Sequence, residues 1–186
     1  MKKSGKFKIS IKRIDGSILF TYNTENNSIE KTLEAYINRE RERGKKKANL
    51  KKVDLSWIDL CDIDLSNVDL SFADLSYAKL KASKLCNSNL EETILIGANL
   101  EEANLTNANL TKANLHGAKL FSAILYSVNF NYANLSYSDL ACIDLDYCSL
   151  IYADLNHADL TNSDFTKAEI TNANLTDIHL YNTKIK

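Results

Sequence analysis

Histidines, cysteines, aspartates and aromatic residues are the side chains of this sequence whose spacing invites a chemical reading. Cys61, Cys86, Cys142 and Cys148 form neither a CxxC pair nor a disulfide spacing, which fits a reducing compartment. The five glycines are scattered, so no phosphate-cradling loop is present. Asp54, Asp74, Asp139, Asp144, Asp159 and Asp164 each stand one residue before a multiple of five, a regular series of carboxylates that could face a basic partner. Phe121, Tyr126, Tyr132, Tyr137, Tyr147 and Tyr152 stand one or two residues after such a multiple, and rings of this kind either mark contacts with other proteins or pack on their neighbours across strands. The patterned chemistry is that of binding.

What positions these residues is a period of five. Every fifth residue from Leu50 to Ile185 is large and apolar, 28 in succession, of which 24 are Leu and the others Phe130, Phe165, Ile170 and Ile185. Two residues earlier stands a small or modest side chain, as at Ala48, Val53, Ser83, Ala98 and Cys148, and between the two stands usually Asn or Asp. Side chains two apart in an extended chain share a face, so the small residue and the Leu point inward and the Asn or Asp outward. The next two residues turn a corner. Stacked corners bury a continuous Leu column while each backbone segment bonds to those above and below it.

Units such as Ala103-Asn104-Leu105-Thr106-Asn107, Ala108-Asn109-Leu110-Thr111-Lys112 and Ala153-Asp154-Leu155-Asn156-His157 resemble the pentapeptide-repeat family. The resemblance implies an all-β solenoid, a right-handed quadrilateral β-helix with four pentapeptides per turn, over residues 48–186. Periodicity alone does not fix the number of sides. With that geometry, about seven tiers at roughly 4.8 Å make a rod of about 34 Å. The sequence has no proline, and no insertion breaks the frame, whereas family members that protect DNA gyrase often project loops.

Twenty residues per turn would place His116 and His157 on one side, roughly 10 Å apart, and His179 on another, too far for a shared metal or proton relay. Cys148 takes an inward position as a space-filling thiol, and Cys61, Cys86 and Cys142 take turn positions with no histidine beside them. No enzyme activity, cofactor or metal site is expected. Asp54 would stack on Asp74, Asp139 on Asp159, Asp144 on Asp164, and Tyr132 on Tyr152. Some family members carry acidic rods that imitate duplex DNA and bind type II topoisomerases. Residues 48–186 carry 10 Lys+Arg against 18 Asp+Glu, a net charge of -8. A duplex of the same length carries roughly 20 charges. Lys79, Lys81, Lys84, Lys112 and Lys119 also interrupt the acid, so imitation would be poor.

Residues 1–47 read as a basic α+β cap, with 13 Lys+Arg against 6 Asp+Glu. Phe7, Ile9 and Ile11 alternate with polar residues, Asp15-Gly16 turns, and Ile18, Phe20 and Tyr22 alternate again, predicting a β-hairpin. Asn27 with Glu30 predicts the start of a helix whose apolar face is Ile29, Leu33, Tyr36 and Ile37, with Gly44 as its stop. Val53, Ile58, Ile63 and Val68 are bulkier than the usual Ala and suggest a first tier in contact with this cap. A homodimer is expected, by one of two routes: at the other end Ile170, Leu175, Leu180 and Ile185 have no covering element after them, and at this end the short Gly44–Lys47 connection would let hairpin and helix exchange between subunits.

With no run of eighteen apolar residues and no apolar leader, the chain is expected to be soluble, cytoplasmic and without a membrane partner. The leading expectation is a non-enzymatic scaffold that presents a rigid surface to another protein and binds no nucleic acid directly. The alternative is a DNA-imitating binder of DNA gyrase or topoisomerase IV.

Overall fold

The computed structural model describes residues 7–24 and 28–185. Its main body is explained by the fate of the five backbone N–H groups of one repeat. The Leu105 N–H donates to the Ile124 carbonyl of the next coil (2.9 Å), and the Asn107 N–H to Tyr126 (3.0 Å). The Asn104 N–H points the other way, to Ser83 of the previous coil (2.9 Å). The Ala108 N–H closes a turn back onto the Leu105 carbonyl (2.8 Å). That leaves Thr106, whose N–H donates to the Asn104 side-chain Oδ1 (3.0 Å). No amide of the repeat is left unpaired, as burial beside an apolar core requires.

The turn needs its third residue in the left-handed region, as type II turns do. Asn107 is there with φ 58°, and so is every described residue at that place in the frame from Lys52 to Asn182 except Lys167. Parallel bridges then link residues twenty apart, from Asp54 with Asp74 through to Asp164 with Lys184. Twenty residues make one coil of four five-residue sides. The structure supplies the count that the periodicity left open. One side, between Leu125 and Asp144, lacks its bridge.

Inside, the Leu column is fully buried from Leu50 to Leu160, with Phe130 and Phe165 continuing it. Buried hydroxyls bond to backbone carbonyls, Thr93 to Leu70 (2.9 Å) and Ser163 to Leu140 (2.7 Å), so most small polar residues in the wall carry little penalty. Ser83 is the exception, with a buried Oγ that has no partner.

The cap has the expected parts. Strands β1 (Phe7–Lys12) and β2 (Ile18–Thr24) pair antiparallel around the Asp15-Gly16 turn, with a bulge between Ile11 and Lys12. Helix α1 (Ile29–Glu42) buries Leu33, Tyr36 and Ile37. Its start differs from the prediction: Ser28, one residue beyond Asn27, is the cap, and its Oγ accepts the Lys31 N–H (3.3 Å). Asn27 lies outside the described residues. Gly44 ends the helix as predicted, at φ 72°, with its N–H on Arg41 and the Lys45 N–H on Glu40, the paired bonds of a Schellman motif.

Hairpin and helix both bear on the first coil. The Ile14 N–H donates to Lys52 (2.7 Å), the Asp54 N–H donates to Lys12 (3.0 Å), and the Tyr36 hydroxyl donates to Asn49 (2.8 Å). Val53, Ile63 and Val68 are buried in that coil and Ile58 is partly so, in keeping with an apolar first tier against the cap. Two-residue strands β3 (Ala48–Asn49) and β4 (Val68–Asp69) begin the parallel ladder.

Candidate partner-binding surface

Each of the six candidate aspartates has an internal task that the sequence reading missed. The Oδ1 of Asp54 accepts the Ser56 N–H (3.1 Å), that of Asp74 the Ser76 N–H (2.8 Å) and that of Asp139 the Ala141 N–H (3.1 Å). Asp144, Asp159 and Asp164 accept the N–H of Asp146, Thr161 and Thr166, each at 2.9 Å. This bond two residues onward is the Asx turn, and it explains why Asn and Asp alternate freely at this place: either offers the oxygen. Ser or Thr two residues on often adds its hydroxyl, as Thr166 does to Asp164 (2.7 Å).

At two of these carboxylates the donors favour the ionised form. The Thr166 hydroxyl and N–H, with the Lys184 ammonium at 3.1 Å, bring Asp164 down to about 2. Asp159 is lowered chiefly by Thr161. The stacking of Asp54 on Asp74, Asp139 on Asp159 and Asp144 on Asp164 is as the sequence predicted. Like charges so placed repel, but lysines break the columns: Lys79 pairs with Asp59 (3.1 Å) and Lys184 with Asp164. The column above Asp54 and Asp74 continues as Ile94 and Asn114. No uninterrupted acidic stripe runs along the described rod.

The aromatic candidates stand at the corners. Tyr132 and Tyr152 stack at 5.2 Å and 9°, as expected of one column, and Tyr126 meets Tyr147 edge-on at 5.4 Å. Phe121, Tyr126, Tyr132 and Tyr152 are all exposed. Trp57 and Tyr77, which the sequence reading did not single out, stack at 4.3 Å. Their signal was the frame itself, since both stand two residues after a Leu. The Tyr77 ring lies over Gly97, 2.5 Å from where a Cβ would be, so a side chain there would displace the ring.

His116 is exposed and His157 half-buried, and they do not meet. Tyr137 lies between them, 5.4 Å from His116 and 4.6 Å from His157, and His116 Nδ1 hydrogen-bonds Ser136 Oγ (2.9 Å). Among the described residues no cluster of His, Cys, Asp or Glu could hold a metal ion. Burial pushes the Cys148 thiol up to about 12, and its Sγ donates to the Leu125 carbonyl (2.8 Å), so it is an inert filler. Burial likewise raises Cys61.

At the far end the dimer candidates line one apolar hollow. Ile170 and Leu175 are half-buried, while Leu180 and Ile185 are 40% and 44% exposed.

A continuous Leu core, twenty residues per coil and Asx-braced corners define a right-handed quadrilateral β-helix. The family model for pentapeptide repeats matches in 8 copies over residues 48–87, 83–120, 123–156 and 143–180, and the chain belongs to that family. Among solved structures it is similar to a trypsin-treated form of QnrB1, a plasmid-mediated fluoroquinolone resistance protein, at 17% identity and TM-score 0.51, covering 75% of this chain and 87% of that one. It is similar also to HetL, involved in heterocyst differentiation regulation in the cyanobacterium Nostoc sp. strain PCC 7120, at 26% identity and TM-score 0.28, covering 81% and 93%. Rfr23 from the cyanobacterium Cyanothece 51142 matches at 24% identity and TM-score 0.35, covering 83% and 99%. At these scores the likeness to QnrB1 concerns the fold alone. No curated protein sequence matches the chain.

Proposed function

We propose that this protein is a non-enzymatic scaffold whose rigid rod presents aromatic corner columns to a partner protein. The observation that carries this reading is backbone strain. Trp57, Phe72, Tyr77, Tyr132, Tyr137, Tyr147 and Tyr152 all hold positive φ, where Asn or Gly would sit with less cost. A bulky ring there costs of order 1 kcal/mol, and residues of this kind persist where the surface has a use for them. Replacing Tyr132 and Tyr152 together by Asn suits the corner better than the native rings. The double variant should melt at or above the wild-type temperature and yet lose the partner that wild type captures from native extract. Equal capture by both proteins would refute the aromatic surface.

A second reading, imitation of DNA toward gyrase or topoisomerase IV, draws support from the stacked Asp pairs. It ranks lower, because each of those carboxylates is committed to an Asx turn and lysines interleave the columns. Supercoiling by gyrase that is unchanged at high micromolar protein would remove it.

The rod is also proposed to pair with a second copy through its carboxy-terminal coil. Beyond the hollow, the N–H groups of Ile170, Leu175 and Leu180 and the carbonyls of Ala173 and Ile178 have no partner among the described residues. A two-fold axis across that edge sets the facing strands antiparallel, with donors opposite acceptors, and covers the apolar side chains.

A further inference from the structure

One side of the rod is built differently from the rest. Everywhere else among the described interior coils the Leu-position N–H reaches the coil ahead and the Asn/Asp-position N–H the coil behind. Leu125 and Asp144 make neither bond, although Ser122 to Ala141 (3.2 Å) and Ser127 to Asp146 (3.0 Å) hold the ladder closed on both flanks. The Ile143 N–H has likewise left its turn and donates to Ser163 Oγ (3.2 Å). Two large side chains meet at the parting. Between Val68 and Ala168, Ile143 is the one isoleucine at the small inward position, where Ala is usual, and Phe165 replaces Leu directly above Leu145. Overpacking of this size is relieved by shifting the backbone.

The parting opens a groove of about 310 Å³. Its lips carry the Leu125 and Asp144 N–H donors and the Ala123 and Asp144 carbonyl acceptors, all unpaired within the described protein. Across this same side runs an apolar strip of Phe121, Ile124 and Tyr126, with Ile124 52% exposed. The corresponding residues one coil behind are Glu101, Asn104 and Thr106, and one coil ahead Ala141, Asp144 and Asp146. The strip is confined to the parted side. On its rim the Lys167 ammonium bonds Asp146 and lies 5.5 Å over the Tyr147 ring, an arrangement that accommodates a cation, and the neighbouring Asp144 carboxylate pairs with no cation among the described residues.

We propose that this parted side is the docking site for an extended segment of a partner protein, whose peptide groups pair with the open Leu125 and Asp144 backbone. An apolar side chain of that segment lies on Ile124 and Tyr126, and a Lys or Arg beside it meets Asp144. The inference rests on the scaffold reading and names where on the rod such a partner binds.

The test uses the full chain, amide hydrogen exchange, and a blocked, fluorescein-labelled peptide of alternating valine and lysine. In wild type the Leu125 and Asp144 amides should exchange at least about tenfold faster than those of Leu105 and Asp164, and the peptide should slow them. Ile143→Ala, or the milder Ile143→Val, should close the ladder, protect both amides without peptide, and weaken peptide binding about tenfold. An N-methylated peptide should bind about tenfold more weakly than its parent. Equal exchange at the four amides, equal binding by the Ile143 variants, or equal binding of the methylated peptide would each overturn the proposal, as would no binding at all. The scaffold reading stands or falls separately on the Tyr132 and Tyr152 double variant, whose corner lies away from this groove.

Discussion

At the amino-terminal end of the rod the Asp54 N–H, which in later coils would reach the coil behind, is taken by Lys12, and Leu33 and Ile37 of the helix lie buried in the core. At the carboxy-terminal end the same kinds of group, on Ile170, Leu175 and Leu180, meet no described partner, and their side chains lose the burial that the interior Leu enjoy. A coil is therefore a half-finished object. Its stability comes from what lies on either side of it, and the two ends differ in whether a described residue meets the edge groups.

The sharpest way to break this comparison is to place one charge in two coils. Leu105→Asp buries a carboxylate among leucines and should cost more than about 4 kcal/mol, abolishing cooperative unfolding. Leu180→Asp, at the open end, should cost less than about 1 kcal/mol. Similar melting curves for the two variants would mean that the ends are as well packed as the middle. Next in size is removal of residues 1–44, which bares the first coil; light scattering and electron microscopy should then show aggregates or end-to-end filaments. A soluble monomer would mean that the cap is not needed as a cover.

The open end is addressed by mass. Wild type should scatter as roughly two copies, and Ile185→Lys should return monomers. A variant that stayed dimeric would move the contact to the cap.

A smaller effect is expected at the closed end, where Tyr36→Phe removes the hydrogen bond to Asn49 and should lower stability by about 1 kcal/mol in a denaturant titration. The smallest belongs to the surface. Asp164 has its carboxyl depressed to about 2, so its favourable contacts are fully present above the usual carboxylate range and are lost as pH falls from about 4 toward 2. Asp164→Asn keeps the Asx acceptor and loses the Lys184 pair. Its melting temperature should fall slightly below wild type at pH 7 and meet or exceed it near pH 2. A constant difference across that range would show that the charge contributes nothing.

The frame, the Leu column, the cap elements and the stacking of Tyr132 on Tyr152 were legible because each follows from side-chain period and size. Four sides were not, because every side accepts the same Leu and nothing need recur at twenty. The Asx turns left a signal that was readable: Ser or Thr stands two residues after Asp54, Asp74, Asp159 and Asp164. The left-handed corners left a partial one: Asn or Gly stands there at Asn67, Asn87, Gly97, Asn107, Gly117, Asn162, Asn172 and Asn182, but Trp57 and the tyrosines contradict the residue preference of the conformation they adopt. Ser28 displaced Asn27 as the helix cap, a one-residue difference between neighbouring side chains that can both serve. The parted side coincides with two large residues, Ile143 and Phe165, in successive coils, a coincidence that shows only when the volumes of successive coils are set against each other.

The coil length sets a rule for how such a chain can change in size. A deletion of five residues leaves every Leu inward but advances all later residues by one side, so Tyr152 would no longer stand over Tyr132 if the cut fell between them. A deletion of twenty, such as residues 88–107, removes one whole coil, shortens the rod by about 4.8 Å and returns every outward column to register. The core thus counts length in fives and the surface in twenties. Lineages free to drift in the surface should differ by any multiple of five, whereas those bound to a partner along the rod should differ by whole coils.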